Sequence, residues 1–186
     1  MEQITIYSSD EYPAYLKCQT LSFLRMEWPE GFVGKNRLRD WITPEKMHPV
    51  HFVIVEGEIL ISHLEVVWIP LIHKGIEYKT YGLTGVLTYP QFRKQGFGSR
   101  LVKEATKYIN KSDADIAMYH VGQDLVNFYN SSCGWEPIYK AKTLKGSKDN
   151  PVADDGVMMA LFLSEKGKKG RKDFETIPFY FGEDTW

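Results

Sequence analysis

Cysteine is scarce in this chain. Cys18 and Cys133 are its two thiols and lack C-x-x-C spacing, so a disulfide framework is excluded and a reducing compartment is expected. Long apolar runs are missing as well. The longest, around Val66 to Ile72, is broken by Pro70 and falls far short of the roughly 20 residues a membrane helix needs. The opening Met1-Glu2-Gln3-Ile4-Thr5-Ile6 has neither a basic n-region nor an apolar stretch. It does not read as a secretory leader, and a cytoplasmic protein without membrane contacts is expected. No charge of one sign dominates: 23 Lys and Arg face 24 Asp and Glu, so composition gives no support to nucleic-acid binding, which calls for a distinctly basic domain. No internal repeat is visible. What remains is 186 residues, enough for one domain with a real core, and a generous supply of aromatics.

Hydrophobic patterning predicts an α/β arrangement. Ile4–Tyr7 suits a first strand, and Glu11 to Phe23 carries Tyr12, Tyr15, Leu16, Cys18 and Leu21 at helical spacing, with Ser9 or Asp10 as N-cap. Residues 26–49 are rich in Pro and Gly, with a short helix around Lys35–Ile42. Val50–Glu56 and Glu58–Ile69 flank Gly57 as a hairpin, and a turn near His73-Lys74-Gly75 leads to the strand Tyr78–Thr88. After Gly98, the stripe Leu101, Val102, Ala105, Tyr108 and Ile109 marks an amphipathic helix. Ile116–His120 reads as a buried strand, Asp124–Asn130 as a short helix and Trp135–Tyr139 as a strand. Asp154-Asp155-Gly156 is a turn before the apolar Val157–Leu163. Lys166 to Lys172 is a basic, glycine-containing run that reads as a solvated connector. The tail beyond it, with Phe174, Phe179, Tyr180, Phe181 and Trp186, is too aromatic for disorder and is expected to dock back. The organisation is one domain over residues 1–163 and a connector with docked tail over 164–186.

The most informative stretch runs from Gly82 to Leu101: an apolar strand, a turn closed by Pro90, then Arg93-Lys94-Gln95-Gly96-Phe97-Gly98 opening the helix. A glycine-rich turn at a helix N-terminus gathers unpaired N–H groups at the positive end of the helix dipole, a place suited to phosphate. A P-loop needs Lys-Ser/Thr after its last glycine, and none follows Gly98. A dinucleotide fingerprint needs a third glycine, where Arg100 and Leu101 stand, and an early βαβ position that this turn does not have.

The pattern R/Q-x-x-G-x-G/A is met without a gap by Arg93, Gly96 and Gly98. With the preceding meander, and with Phe128-Tyr129 ahead of Gly134-Trp135, residues 50–139 resemble the GCN5-related N-acetyltransferase (GNAT) superfamily. The resemblance implies a mixed, mostly antiparallel sheet flanked by helices and splayed at the acetyl-CoA site. It also implies acetyl-CoA as co-substrate, with no metal. A second, narrower likeness runs through Ile61-Ser62-His63, Gly85-Val86, Asp154-Asp155-Gly156 and the closing Gly182-Glu183-Asp184-Thr185-Trp186. It is similar to the aminoglycoside 2'-N-acetyltransferases. It implies a small-molecule amine partner, aminoglycoside-like or polyamine-like, with Thr84, Asp154, Asp184 and Trp186 around it. The oligomeric state is open, a homodimer included.

Acetyl transfer asks that the pyrophosphate be held, the thioester carbonyl placed, the amine deprotonated and the thiolate protonated. The resemblance assigns the pyrophosphate to the loop, with Arg93 and Lys94 as charges and Gln95, Gly96, Phe97, Gly98 and Ser99 as backbone donors. It runs the pantetheine arm along Val86, Leu87 and Thr88, and Gly85 suits a bulge that admits it. Tyr129 is the candidate acid, although four residues separate it from Gly134 where the family has three. The base is open: the narrower family carries Glu where this chain has Thr84. Either ordered water passes the proton onward or a side chain takes it: Glu65 and His63, which share a strand face, and His120 are the candidates, and each is also explicable as a structural residue. The missing Glu and lengthened spacing keep a non-catalytic acyl-CoA sensor in view; a protein or peptide N-acetyltransferase, which would want an open groove, is a third reading.

Overall fold

The computed structural model describes residues 3–41, 43–183 and 186. Among these residues four α-helices and ten strands follow one another: β1 (Ile4–Ser8), α1 (Ala14–Glu27), β2 (Val50–Glu56), β3 (Ile59–His73), β4 (Ile76–Thr88), α2 (Phe97–Asn110), β5 (Ile116–Val121), α3 (Val126–Cys133), β6 (Glu136–Ile138), β7 (Thr143–Lys145), β8 (Val152–Ala153), β9 (Val157–Phe162), α4 (Glu165–Thr176) and β10 (Phe179–Gly182). The main sheet has seven strands in the order β1-β2-β3-β4-β5-β9-β6, and β10-β7-β8 form a second, three-stranded sheet. Within the main sheet every pairing is antiparallel except β4 with β5.

Local chemistry sets the boundaries. The first helix begins at Ala14 rather than Glu11, because Pro13 holds extended geometry at its N-cap and Ser9–Glu11 closes a short 3-10 turn instead. The expected helix around Lys35–Ile42 is reduced to a single 3-10 turn at Gly34–Asn36, and Ile42 lies outside the described residues. The hairpin at Gly57 forms as expected, with Gly57 at φ +58. Strand β3 runs on past Ile69 through Pro70 to His73 and pairs with β4 down to Ile76. Helix α3 stops at Gly134, whose φ of +74 lets its N–H return to the Asn130 carbonyl at 3.0 Å.

The basic run is not a solvated connector. It forms α4, capped by the Ser164 hydroxyl accepting from the Gly167 N–H at 3.0 Å. Its glycines carry the docking. A Cβ on Gly167 would lie 2.1 Å from the Asp115 carbonyl oxygen, and one on Gly170 would lie 2.4 Å from the Tyr78 hydroxyl. The lysines stay on the outer face while Phe174 is fully buried against Tyr78, Phe162 and Phe179. Gly167→Ala therefore has a backbone atom, not a flexible side chain, to displace. It should destabilise the fold by about 2–3 kcal/mol, read as a shifted urea midpoint, whereas Lys169→Ala on the exposed face should be near neutral.

Two features open the sheet. Strands β4 and β5 pair only at Thr80 with Ile116 and Tyr81 with Ala117, then part. Beyond that point the β5-facing edge of β4 has no strand partner among the described residues. The ladder between β3 and β4 also shifts register: His63 faces Leu87 while Glu65 faces Thr84. Gly85, at φ +56, supplies the bulge that absorbs the extra residue. The core lies between this sheet and α2, where Leu101, Val102, Ala105 and Ile109 are fully buried beside Phe52, Leu64 and Trp135.

Candidate active site

Where β4 and β5 part there is a cavity of about 370 Å³, bordered by Glu65, Thr84, Gly85, Val86, Tyr119, His120, Tyr129 and Trp186 among others. Its floor is Trp186. The indole Nε1–H donates to the Met118 carbonyl at 2.6 Å, and the His120 N–H donates to the Trp186 carbonyl at 2.6 Å. It lies directly on Gly82, where a Cβ would come within 1.5 Å of the indole nitrogen. The tail thus supplies a polar wedge for a gap in the ladder. Trp186 borders this cavity, and Asp184, the other tail residue expected around the acceptor, lies outside the described residues.

The register of β3 and β4 places Glu65 directly opposite Thr84, so its carboxylate stands next to the position where a Glu was missed in the sequence. Glu65 is 1% exposed, and burial, only partly offset by hydrogen bonds from Thr43 and Trp41, pushes its pKa up to about 7. Its Oε2 has no hydrogen-bond partner among the described residues. His51, on β2 opposite Glu65, completes a cluster that the sequence did not reveal, because its contact depends on the β2–β3 register. His51 Nδ1 lies 3.3 Å from His63 Nε2 and 3.6 Å from Glu65 Oε1, with His63 Nε2 3.9 Å from the same oxygen. Burial lowers both imidazoles, His51 to about 3 and His63 to about 4, so both rings are neutral near pH 7. His63 Nδ1 is 3.0 Å from the Gly85 carbonyl, which fixes that nitrogen as the protonated one. Tyr12 stacks on His51 at 4.1 Å, and the edge of Trp41 meets both rings.

Tyr129 reaches the cavity in spite of the lengthened spacing, because α3 simply continues to Cys133. Burial raises its pKa well above that of a free phenol, so it stays protonated at neutral pH. Tyr119 packs on it at 4.9 Å, and its own hydroxyl is buried without a partner among the described residues. His120 also borders the cavity, but its Nε2 is bonded to Thr143 Oγ1 at 2.8 Å and its Nδ1 is sealed from solvent. Burial, foremost, lowers its pKa.

The loop matches its expected form, with one reassignment of charge. Lys94 and Gly96 take left-handed backbone at φ +62 and +85, and Gly96 is the N-cap of α2. That leaves the Phe97, Gly98 and Ser99 amides at the head of a 14-residue helix. Phe97 is buried, so only its backbone faces outward, and Gln95 bonds back to the Gln91 carbonyl at 3.0 Å. Arg93 is held elsewhere: its Nη2 pairs with Glu27 at 2.7 Å and its Nε with the Thr88 carbonyl at 2.9 Å. Leu87 packs under α1 with Phe23 and Leu24, while its carbonyl accepts from Ser62 at 2.7 Å. Asp154 is not a rim residue. Its carboxylate pairs with Lys145 at 2.6 Å and accepts the Gly156 N–H at 2.8 Å, with the side chain 4% exposed. The Asx turn accounts for its presence.

These features have a family. The sequence profile described as "Acetyltransferase (GNAT) domain" matches residues 3–138, and the chain belongs to that family. No curated protein sequence matches it. Among solved structures it is similar to Escherichia coli ElaA, at 16% identity and a TM-score of 0.57, over 86% of this chain and 99% of that one. It is similar to an aminoglycoside 6'-N-acetyltransferase complexed with coenzyme A, at 17% identity and TM-score 0.54, over 86% and 97%. A conserved protein of Enterococcus faecalis matches at 14% identity and TM-score 0.56, over 79% of this chain, which spans only 38% of that one. At these identities the likenesses establish the fold. The class is that of acetyl-CoA-dependent acetyltransferases, and among the described residues no helix is long and apolar enough to cross a membrane.

Proposed function

We propose that this chain N-acetylates a small primary amine by direct attack on acetyl-CoA, with Glu65 as general base and Tyr129 as general acid. The single observation that carries the reading is Glu65 opposite Thr84 on the wall of the splayed cleft. The residues present suit the donor. The open β4 edge beyond Tyr81 offers main-chain groups at Val86 and Thr88 for a pantetheine arm, and the α2 amides offer donors for a pyrophosphate. Lys94 adds an exposed charge beside them, while Arg93 shapes the loop through Thr88 and Glu27.

Acetyl-CoA supplies an acyl carbon activated by its thioester and a thiolate leaving group. Glu65, unprotonated, takes the proton that the amine must lose as its nitrogen bonds to that carbon. Tyr129 gives its phenolic proton to the departing sulfur. The phenol is then restored by a proton from solvent, and Glu65 releases one, so the protons balance. His120, tied to Thr143, acts by positioning the Trp186 floor through its backbone. Tyr129→Phe should lower kcat by about 100-fold with little change in KM for acetyl-CoA, measured as thiol release. Unchanged turnover would transfer the acid role to Tyr119 or to solvent.

A second cavity of about 350 Å³ shares Thr43, Thr84 and Trp186 with the first and is bordered by Glu183, Arg39 and Lys46. It is the place for the acceptor. Glu65 and Glu183 favour a cationic amine of the aminoglycoside or polyamine kind. Arg39 and Lys46 mean that the panel of amines must include acceptors carrying a carboxylate. The enclosing tail disfavours a broad protein substrate. The decisive first test pairs thermal stabilisation by acetyl-CoA, against NAD and ATP, with thiol release over aminoglycosides, polyamines, amino acids and peptides. At a hundredfold excess over Kd, specific binding contributes about 2.7 kcal/mol. No shift with acetyl-CoA refutes the donor assignment, and a shift without turnover on any amine favours a sensor.

A further inference from the structure

The cluster of His51, His63 and Glu65 has the form of a ligand set. Its three facing atoms, His51 Nδ1, His63 Nε2 and Glu65 Oε1, stand 3.3, 3.6 and 3.9 Å apart. The point in their plane equidistant from all three, at sides of 3.3, 3.6 and 3.9 Å, lies about 2.1 Å from each, the length of zinc–imidazole and zinc–carboxylate bonds. We propose that His51, His63 and Glu65 form a binding site for a divalent transition metal of the zinc class, and that its occupancy silences Glu65 as a base.

Several features support the site. The only contact among the three at hydrogen-bond distance is the one between the imidazoles, so the carboxylate lies outside hydrogen-bond reach of both rings that face it. Glu65 Oε2 is buried without a partner among the described residues, in a side chain 99% removed from solvent, so the carboxylate that turns Oε1 toward the two rings holds an unmet acceptor of its own. The outer shell is built: the His63 Nδ1–H faces the Gly85 carbonyl at 3.0 Å, the bond by which proteins usually aim an imidazole lone pair at a metal. The walls are aromatic, with Tyr12 stacked on His51 and Trp41 edge-on to both rings. His51 also borders a separate cavity with Asp10, Asp40 and Glu45, which gives an ion an entry that does not pass through the acetyl-CoA cleft. Two imidazoles and one carboxylate select borderline ions such as Zn²⁺, Co²⁺ or Ni²⁺ over Mg²⁺ or Ca²⁺, whose sites are all oxygen.

The consequence follows from ligand chemistry. A carboxylate oxygen that donates its lone pair to a metal is not available to an amine proton, so the filled site and the acetyl-transfer reaction compete for Glu65. The binding claim stands on geometry alone; the inhibition claim rests also on the proposed role of Glu65.

The test separates them. The purified full-length chain, stripped with a chelator and dialysed, is titrated with Co²⁺ and followed by visible d–d absorption, then by displacement with Zn²⁺. One equivalent should bind with visible bands that Zn²⁺ abolishes. His51→Gln and His63→Gln should each weaken Co²⁺ binding by about 100-fold or more, while circular dichroism shows both variants folded. Folded protein without visible bands at millimolar Co²⁺, or undiminished binding in both variants, overturns the site. In parallel, Zn²⁺ should inhibit thiol release with a midpoint equal to its spectroscopic Kd, reversibly on adding chelator. Full turnover with the site saturated would overturn the inhibition and leave the spectroscopic result to stand alone.

Discussion

Glu65→Gln should lower kcat/KM for the amine by about 10²–10⁴-fold, the usual contribution of a positioned general base, while leaving acetyl-CoA binding nearly intact. Glutamine keeps the shape of the side chain and removes only the site that accepts the proton. The pH dependence gives the same result a second form. Burial raises the Glu65 pKa to about 7, so the carboxylate is protonated and inactive below that pH. In chelator-treated enzyme, activity should therefore fall as pH drops through about 7. A further limb at higher pH belongs to the acceptor ammonium. The Gln variant should lose the lower limb and keep the upper one.

Gly82→Ala should be the most damaging small change on the opposite wall. The new Cβ would meet the Trp186 indole nitrogen at 1.5 Å and the ring carbons at 2.3 and 2.4 Å, so the indole must leave its seat. The Met118 carbonyl then loses its donor, and the floor between β4 and β5 opens. We expect kcat/KM to fall by about 100-fold, the scale of a misplacement of an ångström at a reacting centre, with a stability loss of about 1–3 kcal/mol. Trp186→Phe should be milder, because it keeps a ring in the seat and forfeits one hydrogen bond worth about 1 kcal/mol. Steady-state kinetics and tryptophan fluorescence, read together, distinguish an expelled indole from a merely shifted one.

Much of this architecture was legible in the sequence because it rests on local chemistry. The loop glycines, the stripe of α2, the hairpin at Gly57 and the bulge at Gly85 are all positions where a residue type answers a backbone need. Glu65 and His63 could be placed on one strand face by counting residues. His51 could not, since its meeting with Glu65 depends on which residues β2 and β3 bring opposite each other. Glu65 was already a candidate base, but that it stands across the ladder from Thr84 depends on the β3–β4 register, which counting along one strand does not give. Charge misled at two places. Lys166 to Lys172 suggested a solvated connector, yet Gly167 and Gly170 mark the buried face of a helix. Asp154 suggested a rim for a cationic substrate, yet Lys145 and its own turn engage it. Arg93 shows the reverse case, a loop cation whose guanidinium is taken by Glu27.

The proposed base of this acetyltransferase stands on β3, opposite Thr84. The most direct test compares kcat/KM for thiol release as a function of pH in chelator-treated wild type and Glu65→Gln, with any amine that turns over. With Glu65 as the base, the wild type should show a limb near pH 7 that disappears in the variant, together with a loss of at least 100-fold at neutral pH. An identical limb and near-equal rates in the two proteins would contradict it.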